Sequence, residues 1–423
     1  MKIYNNPARV EWTEICLRPS SDNPELKDRV AVIMQRVKDG GDEALRRLSQ
    51  EIDGVVPESL EVNQAETDEA AASVGEELKQ AIAAAAANIS AFHQAQMPSE
   101  IRLETASGVT CIQRPVPIER VGLYIPGGTA PLFSTVLMLA LPAKIAGCKD
   151  IILCTPAGKD GKVNAAVIYA ASVCGVSRIF KIGGAQAVAA MAYGTETVPR
   201  VDKIFGPGNQ WVTTAKQLAG GRLCSIDMPA GPSEVMVVAD DGSNPRFVAA
   251  DLLSQAEHGR DSQVMLVCRS MDFASAVVEE VERQTKVLSR KGFAEEALSH
   301  SCAVILQSDD DIVAFADTYA PEHLIISTRE PWLIADRVTA AGSVFVGEYT
   351  PESAGDYASG TNHTLPTCAW ARSCSGVNID SFMRKMTLQH ITREGLEGLA
   401  STIITMAEAE GLQAHANAVK VRS

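Results

Sequence analysis

The stretch RVGLYIPGGTAPLFSTVLMLALPAKIAGCKDIILCTP, residues 120–156, contains two short strand-like runs on either side of an apolar segment long enough for a buried helix. Parallel strands need such a crossover connection, so strand–helix–strand is the unit of a parallel sheet. The alternation continues through the strand-like runs RIFKIGG and VDKIFGPG, with helical patterns between them. The middle of the chain is therefore predicted to form an α/β lobe with a mostly parallel sheet.

A second series of strand-like runs follows DMPAGPSE, namely VMVVAD, SQVMLVC, CAVILQ, HLIIS and SVFVG. The predicted fold class is therefore α/β, with two Rossmann-like βαβ lobes, one inserted in the other. The patterns of residues 24–110 and of the chain after Asp380 are mostly helical. We predict an inserted lobe at 124–232, a main lobe at 23–123 and 233–377, and a small helical extension from the termini at 1–22 and 378–423.

Charge and composition exclude several classes of protein. The 423 residues include 52 acidic and 38 basic side chains, which gives a net charge of −14. Nucleic acid and anionic membrane surfaces attract basic proteins, so neither is an expected partner. No run is long enough to cross a bilayer, and the first residues lack the apolar core of a secretory signal. The ten cysteines are scattered with no CxxC pair. We expect a cytoplasmic protein with reduced thiols.

The stretch LLSQAEHG places Gln255 and His258 one helical turn apart at the end of a predicted helix. Asn244 is a suitable N-cap and Pro245 a suitable first residue, and Gly259 fits the position after the C-cap. The carboxyl end of a helix carries partial negative charge, which favours a cation. A bound metal ion and a protonated histidine that caps its own helix both satisfy this.

Two further stretches combine carboxylates with histidine. In YAPEHLIIS, Glu322 and His323 lead into a strand, where they would act as a base and its neighbour or simply be a solvated strand start. Fully extended, their side chains would face opposite ways, so a shared site requires a turn. In SAGDYASGTNHTLPT, residues 353–367, Asp356 and His363 lie on a long connection without predicted secondary structure, which is typical of functional loops.

The last stretch, AEAEGLQAHANAV, contains Glu410 and, on a short predicted helix, His415. A partly buried structural histidine is the alternative for His415. Histidine and carboxylate side chains are common zinc ligands. From chemistry alone, Glu257 or Asp261 would be preferred to Gln255 as a ligand, because a neutral amide oxygen seldom binds zinc.

At these residues the chain closely resembles the histidinol dehydrogenase family, from about Leu26 to Val421. The motifs that carry the resemblance occur in the family's order, and as a set they are specific although none is specific alone. They are GLYIPGGTAPLFSTVLMLALPAKIAGC, GGAQAVAA, DKIFGPGN, DMPAGPSEV, LLSQAEHG, APEHL, SAGDYASGTNH and GLQAHANAV.

The resemblance implies one zinc ion per subunit and two successive NAD-linked oxidations, of L-histidinol to L-histidinal and then to L-histidine. It implies that His323 is the general base and that Glu322 activates water for attack on the aldehyde. The implied zinc ligands are Gln255, His258, Asp356 and His415. These four residues and Glu322 are also implied to contact the substrate. The other implied substrate contacts are Ser233, His363 and Glu410, and the implied NAD contacts are Tyr124, Gln186 and Asn209.

The resemblance also implies that the inserted lobe binds NAD, the main lobe carries the zinc and catalytic residues, and the C-terminal segment of a homodimer reaches the neighbour's active site. KIGGAQAV and FGPGNQWV each pass from a strand through glycines into a helix, which suits pyrophosphate binding, although a tight turn explains them equally.

For the aldehyde step, hydration to a geminal diol is favoured over a thiohemiacetal on Cys111 or Cys154. A dehydrogenase for another polyol, a zinc hydrolase that uses Glu322, and a silent nucleotide-binding protein are the rival functions.

Overall fold

The computed structural model describes residues 1–19, 24–127, 131–229 and 231–422. Residues 120–226 form a lobe around a parallel sheet, and the order of its elements is that of a repeated βαβ unit. They are β4 (Arg120–Tyr124), α5 (Phe133–Ala146), β5 (Asp150–Thr155), α6 (Ala165–Cys174), β6 (Arg178–Lys181), α7 (Gly184–Tyr193), β7 (Lys203–Phe205), α8 (Gln210–Ala219) and β8 (Ser225–Ile226).

A second lobe follows, with shorter connections and the same alternation. Its elements are β9 (Glu234–Ala239), α9 (Pro245–Ala256), β10 (Gln263–Cys268), α10 (Met271–Thr285), α11 (Lys291–Ser299), β11 (Cys302–Ile305), α12 (Asp309–Tyr319), β12 (His323–Ser327), α13 (Trp332–Ala335), β13 (Ser343–Val346) and α14 (Glu352–Tyr357).

The two ends of the chain add the remaining elements. Before the first lobe lie β1 (Lys2–Asn5), α1 (Trp12–Ile15), α2 (Pro24–Leu48), α3 (Gln64–Ser73), α4 (Glu76–Gln94), β2 (Ile101–Ala106) and β3 (Val109–Pro117). The chain ends with β14 (Met383–Ile391), α15 (Arg393–Ala409) and α16 (Gln413–Lys420). None of the helices in the described ranges is long and apolar enough to span a membrane.

Both large sheets are parallel and covered on both faces. The five-stranded sheet has the order β6-β5-β4-β7-β8, and the six-stranded sheet has the order β1-β11-β10-β9-β12-β13. Helices α4, α5 and α6 pack on one face of the first sheet, and α2, α7 and α8 pack on the other. Helices α9, α10 and α11 cover one face of the second sheet, and α1 and α12 cover the other. Because both faces of the central strands are covered, these strands are almost entirely apolar.

The two α/β lobes agree with the predicted fold class, but three parts of the predicted organisation were wrong. Residues 1–19, the described part of the predicted N-terminal extension, do not form a helical unit, since β1 is the edge strand of the six-stranded sheet and pairs with β11. Residues 24–94 were assigned to the main lobe, whereas α2 and α4 pack against α7 and α5 of the inserted lobe. An isolated helix pattern shows which face is buried but not which lobe buries it.

The third correction concerns FMRKMTLQHI, whose pattern was interpreted as helical. Residues 383–391 form β14, which pairs antiparallel with β3 along its whole length, and β2 completes this three-stranded sheet. The backbone hydrogen bonds offered by β3 override a weak local helix preference. The C-terminal part is therefore a small sheet with two helices rather than a helical unit.

Candidate active site

The cluster of candidate catalytic side chains lies at the amino edge of the six-stranded sheet. Ser233 directly precedes β9 and His323 is the first residue of β12, which pairs with β9. Gln255 lies in the last turn of α9, the helix that returns from the carboxyl edge of β9. Ligands of open α/β sheets usually bind at the carboxyl edge. Position within the fold alone would therefore not have located this site.

The end of α9 presents Gln255 and His258 together. Asn244 caps its first turn by accepting from the backbone N–H of Arg246, as predicted, but the helix ends at Ala256 and not at His258. Arg290 donates to the His258 carbonyl at 3.2 Å. An arginine therefore supplies the cation at this helix end. His258 is exposed on the surface of the chain. Desolvation by the surrounding protein atoms, together with the charge of Arg290, nevertheless lowers the pKa of His258, and this favours the neutral imidazole that binds metals.

The amide of Gln255 is fixed by its nitrogen. Its Nε2 donates to the Glu234 carbonyl and to Glu322 Oε2, both at 3.3 Å. Its Oε1 is buried and has no hydrogen-bond partner among the described residues. An orphaned buried oxygen is costly unless something electropositive binds it. The side chain is thus oriented as a cation ligand, whereas Glu257 and Asp261, preferred on chemical grounds alone, are not part of the histidine–carboxylate cluster found at this site.

Glu322 and His323 do share one site, because Glu322 lies in a bend immediately before β12. The His323 Nδ1 and Glu322 Oε2 atoms are 3.6 Å apart. Glu322 Oε2 also accepts from the Glu234 backbone N–H at 2.9 Å. Burial raises the pKa of Glu322 well above its ordinary value, partly offset by that backbone hydrogen bond. The raised pKa favours the neutral acid, and it makes the deprotonated carboxylate a stronger base toward water.

His323 is held as a neutral imidazole with one nitrogen free. Burial lowers the pKa of His323 to about 3, and His258 and His363 add to the effect. Its Nδ1 is 3.2 Å from the Glu234 carbonyl oxygen, which only accepts, and 3.2 Å from Gln255 Nε2, which only donates, so these contacts fit either tautomer. The catalytic tautomer is the one with the proton on Nδ1, directed at the carbonyl. Nε2 is then an unprotonated acceptor, buried without a hydrogen-bond partner in the described ranges and 3.8 Å from Asp356 Oδ1. This is the arrangement of a general base awaiting its proton donor.

Asp356 and His363 lie where the sequence predicted a connection without secondary structure, but residues 352–357 form α14. The His363 Nδ1 donates to the Asp356 carbonyl at 2.9 Å, which leaves its Nε2 to accept from Thr135 Oγ1 at 3.1 Å. Burial lowers the pKa of His363 to about 4 and raises the pKa of Asp356 to about 7. Thr135 belongs to α5, so this pair links the two lobes at the site.

Three side chains are close enough to hold one metal ion. The ligand atoms of His258, Glu352 and Asp356 all lie within 4.8 Å of one another. Glu352 was missed by the sequence reasoning, although its i, i+4 spacing to Asp356 would have placed both carboxylates on one face of a helix. The predicted ligand His415 is not in this cluster. Both His415 and Glu410 are exposed in the C-terminal part of the same chain.

Apart from the catalytic cluster, a cavity of about 1270 Å³ lies on the inserted lobe, and Tyr124, Gln186 and Asn209 line it. The glycine stretches there do connect strands to helices, β6 to α7 and β7 to α8, at the carboxyl edge of the five-stranded sheet. Asn209 caps α8 by accepting from two backbone N–H groups, and Tyr124 Oη accepts from Gly184 N at 3.1 Å. Gln186 Oε1 is buried without a hydrogen-bond partner among described residues. The cavity therefore lies at helix N-termini and has polar side chains in its wall, a geometry that suits a dinucleotide.

Neither cysteine considered for a thiohemiacetal, Cys111 or Cys154, is placed to act as a nucleophile at the cluster. Cys154 is completely buried in β5, and burial raises the pKa of its thiol far above the ordinary value. Cys111 lies on β3 in the three-stranded sheet, where Thr105 is its neighbour. A nucleophilic thiol needs a base or a cation beside it.

Comparison with known proteins identifies the family of this chain. Residues 16–423 match the family model described as histidinol dehydrogenase. A histidinol dehydrogenase of Bacteroides fragilis is 54% identical over 422 residues, which cover 100% of this chain and 99% of that protein. One from Xylella fastidiosa is 51% identical over 399 residues, or 94% of this chain and 93% of that protein.

Solved structures give the same result for the fold. The crystal structure of histidinol dehydrogenase from Elizabethkingia anophelis has a TM-score of 0.97 and 48% identity, and the match covers 100% of this chain and 98% of that one. An acetylating aldehyde dehydrogenase from Geobacillus thermoglucosidasius shares only the fold, at 16% identity and a TM-score of 0.50. The two-lobed fold and the site define an NAD-dependent oxidoreductase. The chain belongs to the histidinol dehydrogenase family, whose members perform two successive oxidations, and the resemblance carried by the sequence motifs is confirmed.

Proposed function

We propose that the protein oxidises L-histidinol through L-histidinal to L-histidine at a zinc site formed by Gln255, His258, Asp356 and His415. The observation that carries the proposal is the buried, unpartnered Nε2 of His323 at 3.8 Å from Asp356, beside the unpartnered Oε1 of Gln255. A bound zinc ion supplies a Lewis acid that holds the substrate, and NAD in the cavity of Tyr124, Gln186 and Asn209 supplies the hydride acceptor.

In the first oxidation, His323 Nε2 takes the proton of the substrate hydroxyl as the carbon gives up hydride. Burial keeps this imidazole neutral, so it is in the accepting state before the substrate binds. The proton on Nδ1 donates to the Glu234 carbonyl, which fixes the ring orientation. Ser233 and His363 line the same region from the start of β9 and from the segment after α14, and we assign them, with Glu410, to substrate contacts.

In the second oxidation, Glu322 accepts a proton from water as the water oxygen bonds to the aldehyde carbon. The geminal diol that results has a hydroxyl, whose proton goes to His323 after the first proton has passed to solvent, while the carbon gives up a second hydride to a second NAD. The 3.6 Å between Glu322 Oε2 and His323 Nδ1 supports the proposal that both groups act on one reacting carbon. No thiol is needed, which accords with the inert burial of Cys154.

We also propose that two chains form a homodimer in which the C-terminal segment completes the neighbour's site. Several large apolar side chains of the three-stranded sheet and the last two helices are exposed in the single chain. They are Ile101, Leu103, Met386, Ile391, Met406 and Leu412. Glu410 and His415 lie within this exposed part. An apolar face of this kind is a typical protein interface.

All ten cysteines are free, although ten cysteines would suffice for several disulfides. Free thiols persist in reducing compartments, which supports our assignment of the reaction to the cytoplasm. Neither a nucleic acid nor a membrane is proposed as a partner, because the net charge of −14 would repel both.

The proposal is tested by counting NADH formed per molecule of L-histidinol consumed. We expect two, with activity lost on dialysis against a chelator and restored by zinc. One NADH per substrate would indicate an alcohol dehydrogenase for another polyol. No NADH would indicate a hydrolase or a silent nucleotide-binding protein, and full activity without metal would refute the zinc site.

A further inference from the structure

Glu352 is a buried carboxylate that the proposed mechanism does not use. Its side chain is 1% exposed at the start of α14, one turn before Asp356. Its Oε2 is buried and makes no hydrogen bond in the described part of the chain. This oxygen has lost its hydration without receiving a hydrogen-bond donor in exchange, which is energetically unfavourable. A bound cation would remove that cost.

The surroundings of Glu352 are anionic. The carboxyl groups that act on it electrostatically are those of Asp356, Glu322 and Asp251. Within the described ranges, none of these four acids forms an ion pair with a lysine or arginine. The nearby arginines are engaged elsewhere, since Arg18 pairs with Glu234 and Arg290 donates to the His258 carbonyl. The cluster is therefore short of positive charge.

The ligand atom of Glu352 also has the right neighbours. It lies within 4.8 Å of the ligand atoms of His258 and Asp356, and these three residues come from one chain. Gln255, which we proposed above as a ligand of the same zinc ion, is in this chain too, and its buried Oε1 has no hydrogen-bond partner among the described residues. His415 is outside the cluster. One chain thus provides four oxygen and nitrogen ligands, the number that zinc most often binds in proteins.

We propose that Glu352 is a zinc ligand of the single chain, which completes the metal site with Gln255, His258 and Asp356 until His415 of the partner subunit binds. The inference rests on the proposed zinc site and deepens it. Each chain then loads its metal before assembly, and Glu352 yields its place when the dimer forms. The carboxylate keeps the ion bound during subunit exchange.

The test compares zinc dissociation constants, measured by competition with a chromophoric chelator, in wild type, Glu352→Gln, His415→Ala and the double variant. His415→Ala should retain one zinc per chain. Loss of Glu352 should weaken zinc binding about 10–100-fold in the His415→Ala background, and only about threefold or less in the wild-type background. Glu348→Gln, the same change at an exposed position in the turn before α14, should have no effect in either background.

Stability of the metal-free proteins separates a ligand from a structural residue. Glu352→Gln removes like-charge repulsion among buried carboxylates, so the metal-free variant should melt at the same or a higher temperature than wild type. A lower melting temperature, or equal weakening of zinc binding in both backgrounds, would overturn the proposal. If wild type itself binds no zinc, the proposed zinc site fails and Glu352 fails with it.

Discussion

At the scale of single residues, the site depends on atoms that burial leaves without partners. Gln255 Oε1 and His323 Nε2 are both buried and unpartnered, although each side chain is fixed through its other polar atom. Fixing one end of a side chain orients the other end before the substrate arrives, so little ordering remains to be done on binding. The sequence indicates which residues these are, but the free atom is a property of the packed structure.

The division of labour between His323 and Glu322 is tested by substitution. Removal of a general base typically lowers the rate about 10²–10⁴-fold, so His323→Ala should slow oxidation of both histidinol and histidinal. Glu322→Gln keeps the shape of the side chain and should slow mainly the aldehyde step, because only that step consumes water. Rates measured separately from histidinol and from histidinal give the answer. Equal losses in both steps for Glu322→Gln would show that the two residues act as one unit.

At the scale of elements, the two sites use opposite edges of their sheets. The candidate NAD cavity lies where β6 and β7 lead into α7 and α8, and the catalytic cluster lies where α9 ends and where β9 and β12 begin. The hydrogen bond between Thr135 on α5 and His363 after α14 joins these regions. A cofactor held by one lobe can in this way face a substrate held by the other.

Helix capping allows the role of Asn209 in the cofactor cavity to be separated from its role in stability. Asn209 caps α8 and lines the cavity, whereas Asn63 caps α3 outside it. Replacement of an N-cap by alanine typically costs about 1 kcal/mol of stability, so Asn209→Ala and Asn63→Ala should destabilise the protein by similar amounts. Only Asn209→Ala should also weaken NAD binding, as measured by fluorescence titration. Unchanged NAD affinity in Asn209→Ala would remove this residue from the cofactor site.

At the scale of the whole molecule, the predicted ligand set is not assembled by the single chain. His258 and Asp356 are close together, while His415 lies on an exposed helix that follows the three-stranded sheet. The exposed apolar side chains of the same region support the proposed dimer interface. If the sites are shared, dimerisation is required for catalysis and not only for stability.

Mixing two inactive variants tests the shared site. A dimer of one His258→Ala chain and one His415→Ala chain contains one site with both lesions and one site with neither. Random assembly from equal amounts should restore about one quarter of the wild-type activity per chain, because about half of the dimers are mixed. Each parent variant, refolded alone under identical conditions, is the control. An absence of recovery in dimers verified as mixed would mean that each site is built from one chain.

The sequence by itself determined the α/β class, the two parallel sheets and the family. Periodic apolar runs, crossover helices and glycine-marked turns are local patterns. Such patterns can be recognised in the sequence without knowing which elements pack against them. The capping of α9 by Asn244, and the proximity of Gln255 to His258, are of this kind. The ligand set was predicted through the motifs rather than from chemistry, which alone would have favoured Glu257.

Only the tertiary structure decided features that depend on elements distant in sequence. β1 pairs with β11, some 300 residues away in the chain. Residues 383–391 form the strand β14 because β3 supplies partners for their backbone hydrogen bonds. Glu352 became a candidate ligand because α14 buries it beside His258, and the bend at Glu322 brought its carboxylate to His323. The physical reason is common to all of them: burial and backbone pairing are supplied by partners whose identity the local sequence does not encode.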